Sequence, residues 1–176
     1  MSNQQGKFVK IKPLIGSILI LPVITFVISN EGRIFIVDYI NLLIHEGGHG
    51  IFSLFGKFIH ALGGTLMQII IPTMFIIYYL NNKKKFLSQI FLVWLGQNLI
   101  NISIYAADAR ARKLPLLGGS KVYHDWTYML SQLGLLEYDQ AVGNIFFSLS
   151  IATFIIALII PLILREQTKV NIDLSL

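Results

Sequence analysis

Three ionisable side chains stand within five residues of an otherwise apolar stretch of the chain. The stretch is NLLIHEGGHGIFSLFG, residues 41–56, and the three are His45, Glu46 and His49. On a helix, His45 and His49 lie one turn apart on one face, so both imidazoles can bind the same metal ion. Two histidines at this spacing, with a glutamate after the first, are typical of a Zn2+ site. The sequence therefore predicts zinc as a cofactor.

The same spacing assigns a role to the glutamate. A bound zinc ion lowers the pKa of its water towards about 7. Glu46 can then take a proton from that water as general base and pass it to a leaving amine. The pattern predicts a hydrolase with Glu46 as the catalytic residue. The alternative is a structural polar cluster between helices.

A catalytic zinc site normally has a third protein ligand. We expect Asp108 to supply it, because it follows an apolar run that ends on the same side as His49. Asp125 and His124 are the alternatives, since their loop lies on that side too. Either of them could instead fix the loop, and Asp125 could orient a ligand histidine. His60 is the least favoured candidate for the third ligand, because a histidine at the membrane interface accounts for it without a metal.

The composition indicates where such a site lies. The chain has 176 residues, of which 55% are hydrophobic and 13% charged, and its mean hydropathy is +0.68. A soluble domain would carry about a quarter charged residues. The absence of cysteine excludes iron–sulfur clusters and cysteine-ligated zinc. Basic clusters beside apolar runs are typical of loops near lipid headgroups, so nucleic acid is not an expected partner.

The apolar runs predict an all-α, polytopic membrane helix bundle that forms a single domain over residues 1–176. We expect five transmembrane helices and one long interfacial loop, residues 108–139, with a short helix at 126–136. The predicted spans are residues 13–29, 34–56, 59–80, 86–107 and 141–164.

The distribution of charge suggests an orientation in the membrane. Five crossings place the N-terminus, Lys57 and the long loop on one side. Eight of the 14 lysines and arginines then lie on that side and six on the other. This excess favours a cytoplasmic N-terminus. We expect a multi-pass protein of a bacterial inner membrane, and the sequence leaves open whether it forms a homo- or hetero-oligomer.

Three glycines belong to the motif, namely Gly47, Gly48 and Gly50. In a bilayer, small residues let helices approach closely. Glycines beside a metal also leave room for a substrate backbone. Both explanations stay open at this point.

Four amides inside apolar runs are further candidates, namely Gln68, Gln97, Asn98 and Asn101. Buried amides must find hydrogen-bond partners. They either join helices or bind an extended substrate and the oxyanion of a tetrahedral intermediate. The segment 63–68, GGTLMQ, could be a partly unwound stretch that pairs with such a substrate.

The motif and its setting resemble the site-2 protease family of intramembrane zinc metallopeptidases. Those proteins carry HExxH in one transmembrane helix and an aspartate ligand on a later one, within the pattern N-x-x-P-x-x-x-D-G. In NLINISIYAADAR, residues 98–110, Asn101 precedes Asp108, but the proline is missing and Ala109 replaces the glycine. The resemblance implies Asp108 as third ligand and a membrane-protein or peptide substrate.

Residues 45–136 are also similar to uncharacterised bacterial membrane proteins that share the HExGH motif, an ADARA segment, LPLLGG and HDW. This second likeness implies no substrate. The expected function is therefore an intramembrane zinc metalloprotease that hydrolyses peptide bonds in or near transmembrane segments. The alternatives are a membrane zinc hydrolase that acts on a lipid or another amphiphile, and a non-catalytic subunit of a membrane complex.

Overall fold

The computed structural model describes residues 14–115 and 123–164, and within them the protein is all-helical, as predicted. The basic residues Lys7, Lys10 and Lys12, the first residue of the first predicted span and the end of LPLLGG lie outside the described residues. The described residues form six α-helices: α1 Ile15–Ser29, α2 Phe35–Phe52, α3 Lys57–Asn81, α4 Lys85–Ala107, α5 Asp125–Gln132 and α6 Asp139–Ile163.

A helix lies at each of the five predicted spans, and the short helix α5 lies in the long loop. The largest difference is at the end of the second span, predicted to reach residue 56. There α2 stops at Phe52, and a 3-10 turn, Ser53–Phe55, follows. Gly56 has a φ of +88°, a conformation that glycine adopts without steric cost. The chain reverses at this glycine, and α3 begins at the next residue.

Among the described residues, three helical segments are long and apolar enough to cross a membrane. They are α3, α4 and the run Leu136–Ile163, which contains α6. Helix α1 is apolar but has only 15 residues. Helix α2 has 18 residues but carries the polar motif, which lowers its hydropathy. Length and composition thus support three of the five predicted spans.

Apolar side chains hold the bundle together in two clusters. In the first, α1, α4 and α6 pack around residues such as Ile24, Ile100 and Phe154. In the second, α5 packs on α3 and on the end of α4 through residues such as Trp126 and Met129. Helix α2 lies outside both clusters and packs mainly on α3.

The contact between α2 and α3 depends on glycine. A Cβ atom at Gly48 would lie 2.3 Å from the carbonyl oxygen of Gly63, and one at Gly64 would lie 2.5 Å from the ring of His45. The segment 63–68 is regular helix, so the prediction of an unwound stretch is wrong. Its glycines instead let α3 approach α2 and the first histidine.

Candidate metal centre

The two histidines of the motif face a single carboxylate. Their Nε2 atoms lie 3.2 Å (His45) and 3.3 Å (His49) from Oδ2 of Asp125. The candidate ligand atoms of the three residues all lie within 4.8 Å of one another. The acid beside the pair is thus Asp125, the sequence-based alternative, and not the preferred Asp108.

Hydrogen bonds orient both imidazoles. Nδ1 of His49 lies 2.7 Å from the carbonyl oxygen of His60. A carbonyl only accepts, so this nitrogen carries a proton and Nε2 is the ring nitrogen that faces Asp125. Nδ1 of His45 likewise lies 3.0 Å from Oε1 of Gln68. The Gln68 amide nitrogen donates to Asn98 at 3.3 Å, which fixes the orientation of the amide.

The hydroxyl group of Tyr105 is also directed to this carboxylate. It accepts a hydrogen bond from the backbone N–H of Asp125 at 3.2 Å and donates its own proton to Oδ2 at 3.1 Å. Burial tends to raise the pKa of the Asp125 carboxyl, but the hydrogen bonds to His45 and His49 outweigh it and hold that pKa below its usual range. The carboxylate is therefore anionic at neutral pH.

His60 binds the motif helix reciprocally. Its Nδ1 donates to the carbonyl oxygen of His49 at 2.9 Å, while its own carbonyl receives the proton of the His49 ring. These two bonds link the end of α2 to the start of α3 across the turn at Gly56. Through its backbone carbonyl, His60 orients a histidine of the pair.

Asp108 and His124, the other two candidate ligands, lie together but apart from the histidine pair. The Asp108 carboxylate accepts from the backbone N–H groups of Lys113 and Leu114, both at 2.9 Å. Its Oδ2 lies 3.5 Å from Nε2 of His124. Burial lowers the pKa of His124, so its ring is neutral at pH 7. Neither residue lies with His45 and His49 in the candidate metal cluster. The Asp108 carboxylate binds loop backbone instead.

The amides join helices. Gln68 and Asn98 form a chain from His45 to the carbonyl oxygen of Trp94. Asn101 donates to Asp38 at 3.3 Å. The sequence left open whether these amides join helices or bind substrate. The structure provides direct contacts for helix joining, and Asn101 also lines the cavity beside the site.

Sequence reasoning missed two residues of this region, Asn41 and Tyr105. Asn41 bonds Gln97 at 2.7 Å and accepts from Trp94 at 2.8 Å. It stands four residues before His45, so helical periodicity placed it on the motif face. Tyr105 had no comparable signal, because an aromatic residue near a helix end reads as an interfacial anchor.

A cavity of about 1140 Å³ runs along the polar face of α2. Glu46 is exposed and lines it together with both histidines and Asp125. The cavity extends past both ends of α2, since Arg33 and Lys57 also line it. A glutamate, two imidazoles and a carboxylate therefore share one accessible space.

The donor set suits zinc. Two imidazole nitrogens and one carboxylate oxygen are the protein ligands of one common class of catalytic zinc site, which keeps its fourth position open. Comparisons of the chain with models of protein families, with curated proteins and with solved structures found no match.

Proposed function

We propose that the protein is an integral membrane zinc metallopeptidase with His45, His49 and Asp125 as metal ligands and Glu46 as general base. One observation carries the proposal. In both rings Nδ1 faces an oxygen acceptor, and the two Nε2 atoms converge on one anionic carboxylate oxygen. Such a convergence requires positive charge at this point, either as protons on the rings or as a metal ion that takes their place. Zinc is the cation that this donor set and the HExxH spacing favour.

The chemistry follows from the positions of the side chains. Bound zinc would supply Lewis acidity and make a water acidic enough to ionise near neutral pH. Glu46 would serve as general base towards such a water and would then pass the proton to the nitrogen of the cleaved peptide bond. Gln68 and the His60 carbonyl keep the two imidazoles in the tautomer that leaves Nε2 free for the metal. Such outer partners commonly set metal affinity.

The membrane setting is part of the proposal. Three long apolar segments support insertion, and large apolar side chains on α1 and α2 face outward, among them Leu19, Phe35 and Leu43. We assign five spans, with α1 and α2 completing the set, a cytoplasmic N-terminus and a bacterial inner membrane. The resemblance to site-2 proteases supports the same setting. The chain departs from their pattern at Asp108, which binds loop backbone.

The shape of the cavity favours a peptide substrate. The lining residues extend from before the first residue of α2 to beyond its last. Helix α2 is about 27 Å long at 1.5 Å per residue, the length of about eight residues of extended chain. A peptide presents polar groups at every residue, whereas an acyl chain requires a continuous apolar half. The cavity has polar side chains along its length, among apolar ones such as Leu42 and Ile104; the polar ones are Arg33, Asp38, Asn41, Glu46, Lys57 and Asn101.

Glu46→Gln tests the proposal. The purified protein in detergent should contain one zinc per chain and cleave peptides from a pool of quenched fluorescent apolar peptides. Glu46→Gln should retain the zinc and lose activity by about 100-fold or more, as expected for loss of a general base. The control is Glu137→Gln, which changes an exposed glutamate in the 3-10 turn before α6.

Three results would contradict the proposal. Absence of stoichiometric zinc from the wild type would favour a non-catalytic subunit, as would full activity of Glu46→Gln. Hydrolysis of phospholipid in mixed micelles, without cleavage of any peptide, would replace the peptidase by a lipid hydrolase at the same metal site.

A further inference from the structure

The end of α4 and the start of α5 are joined by polar contacts around the third candidate ligand. The Tyr105 hydroxyl bonds both the backbone N–H and the carboxylate of Asp125. Two residues further along α5, the Thr127 hydroxyl donates to the carbonyl oxygen of Ala109. Helix α5 has only eight residues, too few to be stable alone. Its apolar side chains, Trp126 and Met129 among them, pack it on the bundle, and the polar contacts at its first turn determine where Asp125 lies.

His124 caps this helix. Its Nδ1 accepts a hydrogen bond from the backbone N–H of Thr127 at 3.3 Å, as an N-cap side chain does. In the neutral ring the proton is therefore on Nε2. That atom is buried and has no hydrogen-bond partner among the described residues. The nearest charged group is Oδ2 of Asp108, 3.5 Å away.

The ring of His124 is held from a second direction. It lies against Tyr105, with ring centroids 4.3 Å apart, and only 5% of the residue is exposed. Asp108 is equally fixed, because backbone N–H groups on the other arm of the loop bind both of its oxygens. A buried carboxylate thus faces a buried N–H at the residue next to Asp125.

We propose that Asp108 and His124 are positioning residues for the third metal ligand. The Asp108 carboxylate attracts the N–H of His124 across 3.5 Å, His124 caps α5, and the first residue of α5 then presents its carboxylate to the two Nε2 atoms. This inference rests on the proposed zinc site. A metal site requires its ligands to be held within about 0.5 Å, and Asp125 is the first residue of a short helix whose first turn is anchored by this cap, by Tyr105 and by Thr127.

Two variants remove the pair in different ways. Asp108→Asn removes the charge that faces Nε2 of His124. His124→Asn keeps a good N-cap side chain but loses the Nε2–H and the ring against Tyr105. We expect each variant to weaken zinc binding by about 10- to 100-fold in a chelator competition, the usual effect of losing an outer partner. Both substitutions break the same contact, the one between Asp108 and His124. The double variant should therefore have about the same zinc affinity as the single variant that binds zinc less tightly.

The visible absorption of Co2+-loaded protein provides a readout that loss of stability alone does not change. We expect Asp108→Asn and His124→Asn to alter the band positions and intensities, because a displaced carboxylate alters the ligand field. The matched control is Asp139→Asn. Asp139 is buried, like Asp108, and bonds Arg110 at 2.7 Å, and none of its hydrogen bonds among the described residues is to α5. This variant should lower thermal stability and leave zinc affinity and the cobalt spectrum unchanged.

The outcomes separate this inference from the proposed function. Wild-type affinity and an unchanged cobalt spectrum in both variants would overturn the positioning role and leave the zinc site intact. Complete loss of zinc in Asp108→Asn, together with retention in Asp125→Ala, would make Asp108 a ligand and overturn it as well. A wild type that binds neither Zn2+ nor Co2+ would overturn the proposed function, and the positioning role with it.

Discussion

At the scale of single residues, the site depends on which nitrogen of each imidazole carries the proton. The carbonyl of His60 determines this for His49, and a side-chain amide determines it for His45. Both leave Nε2 free to face Asp125. The difference matters for mutagenesis, since a backbone carbonyl cannot be substituted whereas Gln68 can.

Gln68→Met replaces the amide by an apolar side chain of similar length. His45 then loses the acceptor that holds its tautomer and ring orientation, so zinc affinity should fall by about 10- to 100-fold. Competition with a zinc chelator measures the change. Gln89→Met is the control, because Gln89 is also a buried amide and bonds Ser17 and Ala157 in the other half of the bundle. Equal affinities in the two variants would contradict the role of Gln68.

At the scale of elements, the motif helix is positioned by its contact with α3. Gly48 and Gly63 meet backbone to backbone, and Gly64 lies under the His45 ring. The remaining glycines of the motif differ, since a Cβ atom at Gly47 or Gly50 would meet no described atom within 4 Å. The two explanations that the sequence left open therefore apply to different residues: Gly48 serves helix packing, whereas Gly47 and Gly50 leave open space.

Alanine substitutions test this division. Gly48→Ala and Gly64→Ala should force α2 and α3 apart or displace the His45 ring, lowering stability by about 1–3 kcal/mol as overpacking does and weakening zinc binding. Gly47→Ala and Gly50→Ala should bind zinc like the wild type, since the added methyl group has space. Thermal unfolding in detergent and zinc content measure the two effects. Zinc loss in Gly47→Ala as severe as in Gly64→Ala would refute the assignment.

At the scale of the whole molecule, the proposed metal would link parts that are distant in sequence. His45 and Asp125 are separated by 80 positions, and α2 packs mainly on α3 rather than on the main cluster of the bundle. A bound ion would connect α2 to α5 and, through α5, to the end of α4. We therefore expect the metal to stabilise the folded protein as well as to serve in catalysis.

Removal of zinc by a chelator should lower the unfolding temperature, and added zinc should restore it. A ligand that binds only the folded state at 100 times its Kd stabilises it by about 2.7 kcal/mol. Calorimetry or a thermal shift measurement in detergent detects such a change. Asp125→Ala should show a much smaller shift with zinc, because it lacks one ligand. If zinc shifts the wild type and Asp125→Ala equally, the metal binds elsewhere.

The sequence by itself determined the helices, the histidine pair and the candidate for the general base. These features are local: apolar runs specify helices, and a spacing of four residues places two side chains on one face. The sequence could not choose the acid beside the pair, because Asp108 and Asp125 both lie in the connection between α4 and α6. The tertiary structure made that choice. It turned the Asp108 carboxylate onto loop backbone and folded α5 so that Asp125 meets both histidines. That outcome depends on contacts between residues far apart in the chain, which no periodicity encodes.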